Sequence, residues 1–345
     1  MIKSIKYISL GLMGLLLSGC VETRQPTVKQ FNTGMKKSQE WKDYNKYANE
    51  NKQPVLDYAA TTLKYQFKSG KVALNYDTFL STEPKVVIQT KWHNVKSSDI
   101  YEFKFYMPDG RLYHYEKFSP KKDYAKYTVG RKMYISDVMT DAINGKWKVE
   151  VIANEKHVIY KDFIIGNNNQ PTQVKTNTTI GVFPYLDDRE MSSWKHGGII
   201  AKYISWKTLI NNSNVKVIPS QLIKKDLPNV EITYKTFEDF IDNDLQDEDS
   251  IILSLAKKYN MDYILLGKVL SAWGSSTQDT TVNTYIISVK DKKIIDEEKT
   301  TASLYRSDFN IATSQNSQGI HPQRITVYKE IYSKLIDNIN KISNK

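Results

Sequence analysis

The chain has 345 residues, and 49 Lys+Arg against 38 Asp+Glu give a formal net charge of +11. With 40% apolar and 12% aromatic residues it can bury real cores, which excludes global disorder and leaves room for two ordinary domains. A single cysteine rules out an internal disulfide, a zinc ribbon and a cysteine-held iron–sulfur cluster.

Lys3 and Lys6 form a short basic segment ahead of the apolar run Ile8 to Leu17, which is too short to span a bilayer stably. The run ends in Leu17-Ser18-Gly19-Cys20, which resembles the lipobox of bacterial lipoproteins. That resemblance implies that residues 1–19 are a signal peptide and that Cys20 becomes the lipidated first residue; the alternative is an ordinary secretory signal that contains a cysteine. Two or three acyl chains hold a protein on a membrane where one holds it only marginally. Val21 in place of aspartate after the cysteine implies outer-membrane sorting, facing the periplasm, under the enterobacterial rule.

Residues 20–55 read as the lipidated cysteine and a polar tether. Met35, Trp41, Tyr44 and Tyr47 or Ala48 lie near helical spacing, so a short helix is expected before Pro54. Between 56 and 166 the pattern is of strands: Thr62 to Phe67, Lys85 to His93, Ile100 to Met107, Leu112 to Phe118 and Trp147 to Ile152, with a closing strand at Lys161 to Ile165. Pro108-Asp109-Gly110 and Asn144-Gly145 read as hairpin turns, and Tyr124 and Tyr127 fall in a lysine-rich loop. The expected fold of this half is an antiparallel β-sandwich of immunoglobulin-like type.

Residues 167–177 are a polar linker. Charge divides at the same place. Residues 177–345 hold 21 basic and 21 acidic side chains, while 20–176 hold 26 and 17, a net of +9. This excess either attracts anionic lipid headgroups, cell-wall polymers or an acidic partner, or reflects a lysine-rich composition. No nucleic-acid motif is present.

Residues 178–345 alternate helix and strand. Strands are expected at Thr179 to Leu186, Val215 to Ile218, Tyr263 to Trp273, Thr281 to Val289 and Ile294 to Leu304. Helices are expected at Trp194 to Asn211, Pro219 to Leu227, Ile251 to Tyr259 and Gln323 to Ile342. The order β-α-β-α-α-β-β-β-α describes an α/β domain with a mixed sheet, so the whole chain reads as α+β in two domains. Three stretches carry a family likeness: Ile180 to Tyr185, Val217 to Leu222, and Ala256 to Val269, the last containing Asp262-Tyr263-Ile264-Leu265-Leu266-Gly267. They resemble the superfamily of the curli-secretion lipoprotein CsgG, the lipoprotein activators of penicillin-binding proteins and the N-terminal domain of TolB. The resemblance covers about 160 residues and implies an assembly or binding module without enzymatic activity. The hairpin Ser271 to Asp279 is short and polar, unlike the membrane-crossing strands of a pore.

Signals for chemistry are sparse. His93, His114, His157, His196 and His321 show no metal-pair spacing, no cofactor motif occurs, and Asp242 to Asp247 lacks the glycine and glutamate of a calcium loop. One constellation is a candidate ligand loop: Tyr185, Asp187, Asp188 and His196 at the carboxyl end of the first α/β strand. It reads either as a carboxylate–histidine pair or as a solvated loop with a capping acid. The expectation is a lipid-anchored envelope protein that binds a membrane and an envelope partner such as a cell-wall synthase. The alternatives are a structural subunit of an envelope or surface-secretion assembly, and a hydrolase that uses the Tyr185–His196 loop.

Overall fold

Helix α1 (Gln39–Glu50) buries Tyr44 and Ala48 and seats the chain on the first strand. Trp41 and Asn45 both donate to the Leu56 carbonyl, at 3.1 and 2.9 Å, and the Tyr44 hydroxyl donates to the Pro54 carbonyl at 2.7 Å. The computed structural model describes residues 38–63, 75–137, 140–166, 176–186, 195–227, 230–242, 245, 250–272, 280–302 and 322–343. Among them it shows an α+β fold of mostly β content.

Two sheets face each other in the N-terminal half. The first has the order β1-β3-β6, from β1 (Val55–Thr62), β3 (Lys85–Val95) and β6 (Tyr124–Tyr134). The second has the order β2-β10-β9-β4-β5, from β2 (Thr78–Phe79), β4 (Tyr101–Tyr106), β5 (Leu112–Phe118), β9 (Gly145–Ala153) and β10 (Lys156–Ile165). All pairs are antiparallel except the two-residue contact of β2 with β10. Trp92 of one sheet and Tyr101 of the other meet at 4.8 Å between ring centres in the core. A ribbon of β7 (Ser136–Asp137) and β8 (Thr140–Asp141) lies beside them.

The third sheet has the order β12-β11-β13-β14-β15. It is built from β11 (Thr178–Val182), β12 (Val215–Ile218), β13 (Tyr263–Ala272), β14 (Thr280–Ser288) and β15 (Lys293–Ala302). β12, β11 and β13 run parallel and the rest antiparallel, so the sheet is mixed. The helices are α2 (Lys195–Asn211), α3 (Ser220–Lys224), α4 (Val230–Asp242), α5 (Ile251–Lys258) and α6 (Pro322–Ser343). Leu265 of β13 joins the core with α2 and α6, while Ile264 and Leu266 face α4 and α5. An apolar run without alternation is what a strand covered on both faces requires.

Several expectations are corrected. A strand not expected from the sequence runs over Val55–Thr62, while residues 64–67 of the expected Thr62 to Phe67 strand lie outside the described residues. Tyr124 and Tyr127 belong to strand β6 and not to a loop; Tyr127 pairs with Trp92 and stacks on Tyr124 at 4.4 Å, and Lys126 between them is exposed to solvent. The tight hairpin is not at Asn144-Gly145 but at Asn154-Glu155, whose φ angles of 48° and 65° supply the left-handed turn that twisted strands need. Gly145, at φ 136°, begins β9 instead. Helix α4 was not legible as a helix: Val230, Ile232 and Thr233 are β-branched, yet Phe237 and Phe240 are buried against α5 and the sheet.

One hydrophobic cluster runs from Tyr44 through the sandwich to Ile342 of α6, so packing is continuous across the expected linker. The Asn154 turn anchors three elements: its side chain accepts from the Ile100 amide at 2.8 Å and donates to Gln53 at 2.7 Å and Asp99 at 2.9 Å. Asn154→Gly, which keeps the left-handed turn, is expected to cost about 2 kcal/mol from the lost hydrogen bonds. Asn154→Ala is expected to cost about 1 kcal/mol more from backbone strain; urea unfolding of both variants measures the difference.

Candidate functional site

Alternation along the β9–β10 hairpin turns Lys146, Lys148 and Glu150 to the outer face of the second sheet. The register sets Glu150 opposite Tyr160 on β10 and opposite Lys104 on β4, and Lys148 opposite Asp162 and Tyr106. These side chains converge on the Glu150 carboxylate, which is 11% exposed. It accepts from the Tyr106 hydroxyl at 2.8 Å and the Tyr160 hydroxyl at 3.4 Å, with His157 Nδ1 at 3.1 Å and the Lys104 ammonium at 3.9 Å. The Lys148 ammonium stands 4.5 Å from the Tyr160 ring centre and 5.4 Å from that of Tyr106. Burial pushes both tyrosine pKa values up, and Glu150 adds to the shift. The phenols therefore stay protonated and donate.

Beside this cluster a groove of about 720 Å³ separates the first turn of α1 from β10; Trp41, Glu40, Asp77, Tyr160 and Asp162 are among its lining residues. Glu40 bridges the two walls. Its carboxylate accepts from the Tyr160 amide at 3.1 Å and lies 3.7 Å from His157 Nε2. The arrangement holds one carboxylate saturated with donors beneath an aromatic and lysine-bearing surface. That suits contact with a partner, since cation–π pairs and half-exposed tyrosines contribute adhesion. Among the described residues, no group of three or more His, Cys, Asp or Glu side chains is placed to hold a metal ion.

The sequence-predicted loop is not assembled as a ligand site by the described residues. Tyr185 is 1% exposed, and its hydroxyl meets Thr284 Oγ1 at 3.1 Å. Its ring covers Gly267 so closely that a Cβ there would lie 2.0 Å from Tyr185 Cε1. Gly267 is thus required for close approach by an aromatic ring. Asp187 and Asp188 lie outside the described residues, as do the side chain of His196 and the whole lipobox of Leu17, Ser18, Gly19 and Cys20. Sequence reasoning missed Glu150, His157, Tyr160 and Glu40. The signal was the strand alternation around Asn154-Glu155, which places Glu150 and Tyr160 side by side once the turn is located.

A second polar cluster sits where α2 meets the sandwich. His114 is buried against Trp206, at 5.9 Å between rings, with Nε2 3.0 Å from Glu116. Arg131 lies 3.4 Å from Glu116, and the Lys202 ammonium lies 4.5 Å from the Trp206 ring centre. Burial lowers the Lys202 pKa to about 8, an effect that Glu116 partly offsets and Lys132 reinforces. Burial also lowers the His114 pKa, and the Lys202 charge adds to it against the pull of Glu116.

No protein-family model and no curated protein matches the chain. Among solved structures, it is similar to lipoprotein GNA1162 from Neisseria meningitidis, at 11% identity and TM-score 0.27, covering 47% of this chain and 96% of that one. It is also similar to an immunoglobulin-like protein, PA1606, from Pseudomonas aeruginosa, at 10% identity and TM-score 0.24, covering 33% and 96%. A third likeness is to the Pseudomonas fluorescens alkylpurine DNA glycosylase AlkC bound to DNA containing an abasic-site analogue, at 11% identity and TM-score 0.24; it covers 33% of this chain and spans only 30% of the glycosylase. Likenesses of this extent carry no argument about function.

Two outcomes follow from this geometry. Gly267→Ala is expected to destabilise by about 2 kcal/mol through overpacking, and Tyr185→Leu in the same chain is expected to recover part of that loss, read as non-additivity in urea unfolding. Because the folded His114 pKa is lowered, the unfolded chain binds the proton more readily. Its contribution to stability is full above the ordinary value of about 6.5 and declines as pH falls below it. Melting temperatures between pH 8 and pH 5 are expected to fall less steeply in His114→Gln than in the parent.

Proposed function

We propose that this chain is a lipid-anchored, non-enzymatic lipoprotein of the cell envelope. In this reading Cys20 carries the acyl anchor, on the periplasmic side of the outer membrane, and two docked domains recognise an envelope partner such as a cell-wall synthase. The observation that carries the reading is the position of the tyrosine–lysine surface and its groove: one wall is formed by Ser38 to Trp41, only 18 positions after Cys20 in the sequence. A recognition surface there would face whatever lies beside the membrane. The Glu150 cluster supports recognition over turnover, because its carboxylate is engaged by two hydroxyls and an imidazole. The likeness of residues 178–345 to the CsgG, synthase-activator and TolB N-terminal superfamily supports the same role for the second half. The basic excess of residues 20–176 adds attraction to anionic lipid or wall polymer.

The test is crosslinking of the tagged protein in cells, with mass spectrometry of the captured proteins and Cys20→Ala as control. Capture of a wall synthase that disappears in the control is the expected result. Recovery mainly of the chain itself in large species contradicts it and identifies an assembly subunit.

A further inference from the structure

The free side of β10 is a sheet edge that is partly occupied. β10 pairs along one side with β9, and on the other side with β2 only at Ile164 and Ile165. The Ile164 amide donates to the Asp77 carbonyl across that second side. Alternation then directs the main-chain groups of Asp162 and Tyr160 the same way, into the groove. The Tyr160 amide is met there by the Glu40 carboxylate and not by a strand. Asp162 N–H and the Tyr160 carbonyl have no hydrogen-bond partner on that side among the described residues. Unpaired donors and acceptors at strand spacing are complementary to an extended backbone.

We propose that the groove between α1 and β10 takes an extended peptide segment of the partner, which adds a short strand to β10 end to end with β2. This rests on the reading of the chain as a partner-binding protein. In the bound state a peptide carbonyl takes the place of the Glu40 carboxylate on the Tyr160 amide, and a second peptide group pairs with Asp162. The side-chain chemistry of the peptide follows from the walls. Trp41 and the exposed Tyr160 ring offer apolar contact. Lys146 is matched by Asp162 at 2.6 Å and Lys161 by Asp77 at 3.8 Å, which leaves Glu40 as the carboxylate without a lysine or arginine partner among the described residues. An occupant with apolar residues alternating with basic ones satisfies both walls, and its basic side chain pairs with the displaced Glu40. In the empty state Glu40 caps the edge, a charged guard of the kind that keeps free strands from pairing with the wrong chain.

The experiment titrates the full chain, in detergent, with an acetylated seven-residue peptide of alternating valine and lysine, and reads affinity together with amide hydrogen exchange. Binding with slowed exchange at Tyr160 and Asp162 is expected. Asp162→Pro, which removes the free N–H at an edge position where proline is tolerated, is expected to weaken binding at least tenfold, whereas Asp162→Ala retains it within about threefold. The same peptide N-methylated at alternate amides keeps its side chains and tests the backbone pairing without altering the protein; it is expected to bind at least tenfold more weakly. Equal binding of the methylated peptide, or binding without protection at these amides, overturns the proposal. So does protection of the same amides by soluble peptidoglycan strands in place of the peptide. Capture of a partner in cells together with failure of this titration would sink the edge pairing and leave the binding role standing.

Discussion

A buried guanidinium ties the two halves of this protein together within the apolar cluster that runs through both. Arg111 follows the Pro108-Asp109-Gly110 turn, where Gly110 takes a φ of 87°. Its Nε and Nη2 both reach the Asp109 carboxylate at 2.8 Å, while Nη1 donates to the carbonyls of Asn212 and Val215 at 2.6 and 2.7 Å. Both side chains of the ion pair are nearly closed to solvent. Removing one member of such a pair leaves a buried charge without its partner and costs about 3–5 kcal/mol. The hairpin turn of the sandwich is thereby fixed to the passage between α2 and β12.

Further contacts join the halves around that bond. Trp206 of α2 stacks on Tyr113 at 5.6 Å with ring planes 8° apart and donates to the Tyr113 carbonyl at 3.2 Å. Tyr113 in turn meets Trp147 edge-on at 5.1 Å in the sandwich core. Farther along, Lys225 reaches Glu102 at 2.8 Å on the outer face of β4. The second half therefore covers the β4–β5 end of that face, while the β9–β10 end stays open and carries the Glu150 cluster. Contact between the halves thus decides which part of that face is covered. It also buries His114 between β5 and α2.

Much of the fold is legible in the sequence because its strands are either strictly alternating or apolar throughout. Tyr263 to Leu266 reads as a strand covered on both faces, and the 3.6 periodicity of α6 survives to within a residue at each end. Pro108-Asp109-Gly110 reads correctly because a turn of that kind is a local matter. What was not legible depends on tertiary partners. Helix α4 has β-branched residues in its first turn, and its helical state is decided by Phe237 and Phe240 packing on α5. Tyr185 sits at the strand end where ligands bind in open α/β sheets, yet Gly267 leaves a hole that its ring fills. The Glu150 surface required a hairpin register, and that register depended on recognising Asn154-Glu155 in place of the stronger Asn-Gly signal at 144–145.

The most direct test of this account is amide hydrogen exchange of the full chain carrying Arg111→Ala, compared with the parent. If the guanidinium holds the halves together, amides of β5 on one side and β12 on the other lose protection together, while those of β13 and β14 keep theirs. Loss confined to the turn at Asp109-Gly110, with β12 unchanged, would contradict the central claim that the two halves are fixed to each other through this residue.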